Sequence, residues 1–145
     1  MSLENLLGVS LEKITPARQT VLRLLDSASR HIADAKVREI SAETRFASAY
    51  TAIRMLADVG LHARGFRTLT SKPGHHQAAI QSLGQTFGID NAVLVRLDRL
   101  RKQRNLTEYS GDVIPQSAVD ECLRQAQSLH SAAIGWLKAH RPDLL

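Results

Sequence analysis

Cysteine is almost missing from this chain: Cys122 is the only one in 145 residues. That excludes an intramolecular disulfide framework and fits a reducing compartment. Long apolar runs are missing as well, and none approaches the ~20 residues that a membrane-spanning helix needs. The opening Met1-Ser2-Leu3-Glu4 lacks the basic and apolar regions of a secretory signal. A cytoplasmic protein with no membrane contact is therefore expected. No period-two segment of useful length occurs and nothing repeats internally, which argues against sheet and solenoid architectures. A glycine-rich phosphate loop, metal-ligand spacing and a serine-nucleophile motif are all absent, so no cofactor and no metal are expected.

What is present is helical. A chain of 145 residues fits one domain, 1–145, and buries roughly 68–70% of its unfolded surface, enough to stand without staples. Thr15-Pro16 reads as an N-cap and N1 pair, because proline's missing N–H is not needed there. The helix it opens carries Val21, Leu24, Leu25, Ala28, Ile32 and Ala35 at spacings of three and four. Residues 1–14 form an arm, with a short helical piece over Leu3 to Val9, and the bundle core spans 15–140.

Ser41 opens a second long helix, with Glu43 suited to its first-turn dipole. Phe46, Ala49, Tyr50, Ile53, Leu56, Ala57 and Gly60 form its stripe, widened by Ala52, Met55 and Val59, which makes this helix central. Gly60 and Gly65 are expected to loosen its C-terminal half. Pro73-Gly74 closes it and opens a shorter helix bearing Ala79, Ile80, Leu83 and Phe87, ended by Gly88. Asp90 caps a fourth helix with Val93, Leu97 and Leu100 inward. After a loop at Ser110-Gly111 and Pro115, Ser117 caps a last one. Its stripe runs Val119, Cys122, Leu123, Ala126, Leu129, Ala133, Trp136 and Leu137, with Pro142 as terminator. The expected fold class is all-α: an antiparallel up-and-down bundle of four or five helices.

The net charge is +5, from 19 Lys+Arg against 14 Asp+Glu. That permits an anionic partner without requiring one. The excess is locally dense. Arg96, Arg99, Arg101, Lys102 and Arg104 fall on one helix. Helical spacing turns Arg96, Arg99 and Lys102 to solvent, with Asp98 four before Lys102 for a surface pair. Arg104 differs, because it lies four after Leu100 and seven after Leu97 and so continues the apolar stripe. A cation there needs a partner, an interface or a ligand. Arg101, Asn105 and Tyr109 line up beside it at successive fours. The bland alternative has Arg104 paired with a carboxylate at the end of the bundle and Tyr109 capping the core with its ring.

The run Leu100-Arg101-Lys102-Gln103-Arg104-Asn105-Leu106-Thr107-Glu108-Tyr109-Ser110-Gly111-Asp112 resembles the signature of HEPN domains (higher eukaryotes and prokaryotes nucleotide-binding). The helix with Ala49-Tyr50-Thr51-Ala52, the Gly74-His75-His76 start of a short helix and the alanine-rich final helix are similar to that family too. The likeness spans roughly residues 15–140. It implies a HEPN-like bundle, commonly a homodimer, with the Arg-Asn segment near an interface cleft. It also implies either metal-independent ribonuclease activity or partnership with a minimal nucleotidyltransferase in a toxin–antitoxin module. Arg104 and Asn105 match the first two positions of the catalytic form. Tyr109 stands where that form has histidine.

The exchange matters chemically. Attack by a 2′-hydroxyl is helped by a group titrating near neutrality, as histidine does. A tyrosine, ordinarily near 10, needs a downward shift of ~3 units, roughly 4 kcal/mol of differential stabilisation. Tyr109 remains able to stack on a base or donate a hydrogen bond. The expected function is thus non-catalytic binding of RNA, DNA or a nucleotide through Arg101, Arg104, Asn105 and Tyr109. The alternatives are a ribonuclease using Arg104, Asn105 and Tyr109 or a nearby histidine, and a pure interaction subunit. His62, His75 and His76 are read as surface or capping residues, since adjacent histidines on a helix point about 100° apart. Cys122 is read as a buried inert thiol and Trp136 as a core or dimer contact.

Overall fold

The structure, a computed structural model, describes residues 2–145. Six α-helices are present among them: α1 (Arg18–Ala35), α2 (Ala42–Ala63), α3 (His75–Gln81), α4 (Leu83–Phe87), α5 (Asn91–Ser110) and α6 (Gln116–His140). Two three-residue strands, β1 (Leu11–Lys13) and β2 (Phe66–Thr68), and 3-10 turns at Leu3–Leu6 and Pro142–Leu144 complete it. The chain is a helical bundle with one small antiparallel sheet.

Helix α2 is the centre of the bundle because its apolar residues wrap most of its circumference. Phe46, Ala49, Tyr50, Ala52, Ile53, Leu56, Ala57, Val59 and Leu61 are all buried. Helices α1 and α6 pack against it with one stripe each: Val21, Leu25, Ala28, Ile32 and Ala35 from α1, and Val119, Cys122, Ala126, Leu129, Ala133 and Leu137 from α6. At roughly 1.5–3 kcal/mol per fully buried large apolar side chain, this three-helix seam is the main source of stability. Most of the predicted apolar positions are buried, while Leu24, Met55, Val93, Leu123 and Trp136 are half-buried at the edges of their stripes.

Local capping chemistry sets the junctions. The Ser41 hydroxyl accepts the Thr44 N–H at 3.1 Å, as its N-cap position requires. Gly88 and Gly111, both at positive φ, terminate α4 and α5. One junction was invisible in the sequence: Arg45 is buried, and its Nε donates to the Ala35 carbonyl at 2.8 Å, closing the C-terminus of α1 onto the first turn of α2. The orphan carbonyl and the buried cation satisfy each other.

Several expectations are corrected. Helix α1 starts at Arg18, not after Thr15-Pro16. The Ile14 N–H donates to the Gly65 carbonyl, and the N-cap Ala17 N–H donates to His62 Nε2 at 2.9 Å, so residues 14–17 stay extended. Pro115, not Ser117, caps α6, with its carbonyl accepting from Ala118 and Val119. Helix α2 ends at Ala63, well before Pro73-Gly74, since Gly65 takes φ +89° and β2 follows. β2 pairs with β1 in the register Leu11↔Thr68, Glu12↔Arg67 and Lys13↔Phe66, with an Arg67–Glu12 ion pair across it. Three-residue strands carry no readable period. The N-terminal segment is no free arm, because Leu3 and Leu11 are buried in the common core. The helix expected over Leu3 to Val9 is a 3-10 turn over Leu3–Leu6. The single short helix expected after Pro73-Gly74 is broken in two at Ser82.

Candidate cleft between α3 and α5

Helix α5 buries only Leu97 and Leu100, and beyond them its side chains are half-buried or exposed. Leu100 sits one turn before Arg104. Past it α5 leaves the apolar core and runs alongside the start of α3. A cavity of about 300 Å3 lies between the two, lined from α5 by Arg101, Arg104, Asn105, Glu108 and Tyr109. The opposite wall is Gly74, His75, His76 and Gln77. The four residues singled out from the sequence therefore do converge, and they meet a pair of histidines that sequence reasoning had set aside.

Arg104 is half-buried. Its guanidinium lies 5.3 Å from the ring centroid of Tyr50, fully buried on α2, and its Nη2 is 3.0 Å from Glu108. This reconciles the charge with its place on the apolar stripe: the ring takes the cation's face, and the carboxylate takes one of its donors. Glu108 is more than half exposed on the same helix, so Arg104 is not locked inside the bundle. Arg101 donates to Asp98 at 2.9 Å, and Asp98 also pairs with Lys102 at 3.4 Å. Asn105 is half-buried in the cavity wall. Tyr109 does not cap the core: it is 88% exposed, at the rim. Arg96, Arg99 and Lys102 face solvent, as helical spacing predicted.

Arginines crowd the histidine wall of the cleft in spite of these acids. His76 feels burial first, then Arg54, His75, Arg104 and Arg101, and is pushed down to about 4. The imidazole rings of His75 and His76 lie 4.3 Å apart, centroid to centroid, at 70°. Beneath them on α2, burial raises Asp58 to about 6 against the opposing pull of Arg54, 3.9 Å away, and of His75. Tyr50 is raised by burial, with Arg104, Arg101 and Arg54 acting the other way. Among the described residues its hydroxyl makes no hydrogen bond.

Other features are structural. His62 caps the start of α1, and burial holds it below its ordinary value. Cys122 is buried against the Phe46 carbonyl, and its thiol is pushed up to about 12 by burial. Trp136 packs edge-on against Phe87, stacks with His140 and carries Arg64 over its ring at 4.7 Å. A larger groove of about 760 Å3 between α4 and α5 holds Asp98 and Lys102 of the basic helix but neither Arg104 nor Asn105. Among the described residues no group of three or more His, Cys, Asp or Glu side chains is placed to hold a metal ion. Among the described residues no helix is long and apolar enough to cross a membrane.

Comparison with known proteins adds no family: no family model matches the chain, and neither a curated protein nor a solved structure does.

No spacing in the sequence joins His75 and His76 to the α5 residues. Only the chain reversal through residues 64–74 brings the start of α3 against α5, and that reversal has no periodic pattern to read.

Proposed function

We propose that this protein is a HEPN-like binding protein for phosphate esters, nucleic acid or nucleotide, and that the ligand sits between α3 and α5. The observation that carries the reading is the convergence of Arg101, Arg104 and Asn105 with His75 and His76 on one cavity. The Arg104–Glu108 pair, whose carboxylate is more than half exposed, is worth about 0–1 kcal/mol, so a phosphate can displace that carboxylate at little cost. Arg104 and Arg101 contact phosphate, Asn105 donates a directional hydrogen bond, and exposed Tyr109 offers a ring to an unstacked base.

Binding of labelled single-stranded RNA, single-stranded DNA and ATP tests this. With two or three phosphate contacts, affinity for the strands falls about tenfold between 50 and 200 mM salt, and Arg104→Ala lowers both the affinity and the salt slope. Absent or salt-insensitive binding to all three ligands refutes the reading.

One observation favours a second reading, an atypical metal-independent ribonuclease: the α3 histidines supply the imidazole that Tyr109 does not. The same RNA, incubated in EDTA and run on a denaturing gel, decides it. Cleavage abolished by Arg104→Ala supports an enzyme. Intact RNA leaves the binding protein.

A further inference from the structure

We propose that a phosphate ester entering the α3–α5 cleft is bound together with a proton on His76, so that occupancy of the cleft is set by pH. This rests on the phosphate-binding reading above and adds a coupled proton to it.

The geometry is that of a half-buried imidazole walled by arginines. From α5 it faces Arg101 and Arg104, from α2 Arg54, and the His75 ring of its own helix lies 4.3 Å away. The acids within reach are Glu108 at the cavity wall and Asp58 on α2, and each already serves an arginine. Tyr50 and Tyr109 are the remaining titratable neighbours. In the empty cleft a proton on His76 adds a cation to a crowded set, and partial burial strips away the water that would screen it. Hence the ring is neutral, held down at about 4.

An anion between the walls acts against both causes without restoring the lost water. It cancels the repulsion from Arg101 and Arg104, and it gives the imidazolium an acceptor. If that restores the ordinary value of 6.5, the bound state gains a proton that the free state lacks throughout the interval from about 4 to 6.5. Linkage then makes affinity rise with acidity, by about tenfold between pH ~8 and pH ~5.5.

The test uses a short RNA with hydroxyl ends, whose diesters do not titrate in this range, carrying a pH-insensitive rhodamine label. Anisotropy titrations of the whole protein are run at fixed salt at pH about 8, 6.5 and 5.5. Wild type is expected to tighten about tenfold toward acid, His76→Gln to lose that slope, and His75→Gln to keep it. NMR of the His76 ring in the unaltered protein reads the same event directly: neutral at pH ~5.5 when free, imidazolium when RNA is added. Binding with a flat wild-type profile overturns the proton coupling and leaves the phosphate site standing. An undiminished slope in His76→Gln, or a ring that stays neutral in the complex, assigns the proton elsewhere and also overturns it. No binding at any pH fells the phosphate reading itself.

Discussion

Two glycines in long helices should respond oppositely to the same substitution. Gly60 and Gly135 both lie in helix interiors, on α2 and α6, where alanine is favoured over glycine by about 1 kcal/mol. At Gly135 a new Cβ meets nothing within 4 Å, so Gly135→Ala should gain most of that. At Gly60 the new Cβ would stand 2.5 Å from Thr86 Oγ1, 2.9 Å from Thr86 Cβ and 3.0 Å from Phe87 Cε2. Rotating Thr86 removes the first contact but not the second, because its Cβ is fixed to the α4 backbone. Helix α4 must therefore shift off α2, and overpacking of this kind costs about 1–3 kcal/mol. Subtracting the propensity gain leaves a net loss of about 0–2 kcal/mol for Gly60→Ala. At about 2–4 °C per kcal/mol for a chain of this size, thermal unfolding followed by circular dichroism should show Gly135→Ala above wild type and Gly60→Ala below it. Equal rises in Tm would refute the close approach of α4 to α2, and with it the placement of the segment that carries His75 and His76.

Asp58 offers a check on the charge beneath the cleft. Its folded-state value, raised from 3.8 to about 6, means that its favourable contribution is complete below pH ~4 and is lost as pH rises through 6. Asp58→Asn should thus be worth about 1–2 kcal/mol at pH ~7.5 and close to nothing at pH ~4, the full linkage value being reduced because 31% of the side chain remains in solvent. Urea midpoints at the two pH values measure it, and an equal effect at both would remove the ionisation cost. Cys122, buried and protonated, should react with a thiol reagent at pH ~8 only after unfolding; fast labelling of native protein would contradict its packing against Phe46.

Helices α1 and α6 were legible because each buries one stripe, and a stripe is a periodic signal. Val21 to Ala35 on α1 and Val119 to Leu137 on α6 show it plainly. What escaped has no period. The β1–β2 pair is three residues a side, and its partners are more than fifty positions apart. The start of α1 is decided by the imidazole of His62, forty-five residues away. Arg45 reads as one more surface cation until the end of α1 is placed beside it. The candidate site divides along the same line. Arg101, Arg104, Asn105 and Tyr109 share one helix, so spacing alone gathers them. His75 and His76 reach them through a chain reversal, and only tertiary structure could add them. Tyr109 shows the limit in the other direction: helical spacing gave its side of α5 but not that α5 outruns the core there.

The division between the buried three-helix seam and the outlying end of α5 has an evolutionary consequence. Between Arg101 and Tyr109 no side chain is fully buried, so most substitutions there touch little that holds the bundle together. Mutations along α2, α1 and α6 have no such freedom, since nearly every inward position there is filled. A lineage built on this chain should keep its scaffold and diversify its cleft, gaining or losing chemistry at positions 101 to 109 while remaining foldable throughout.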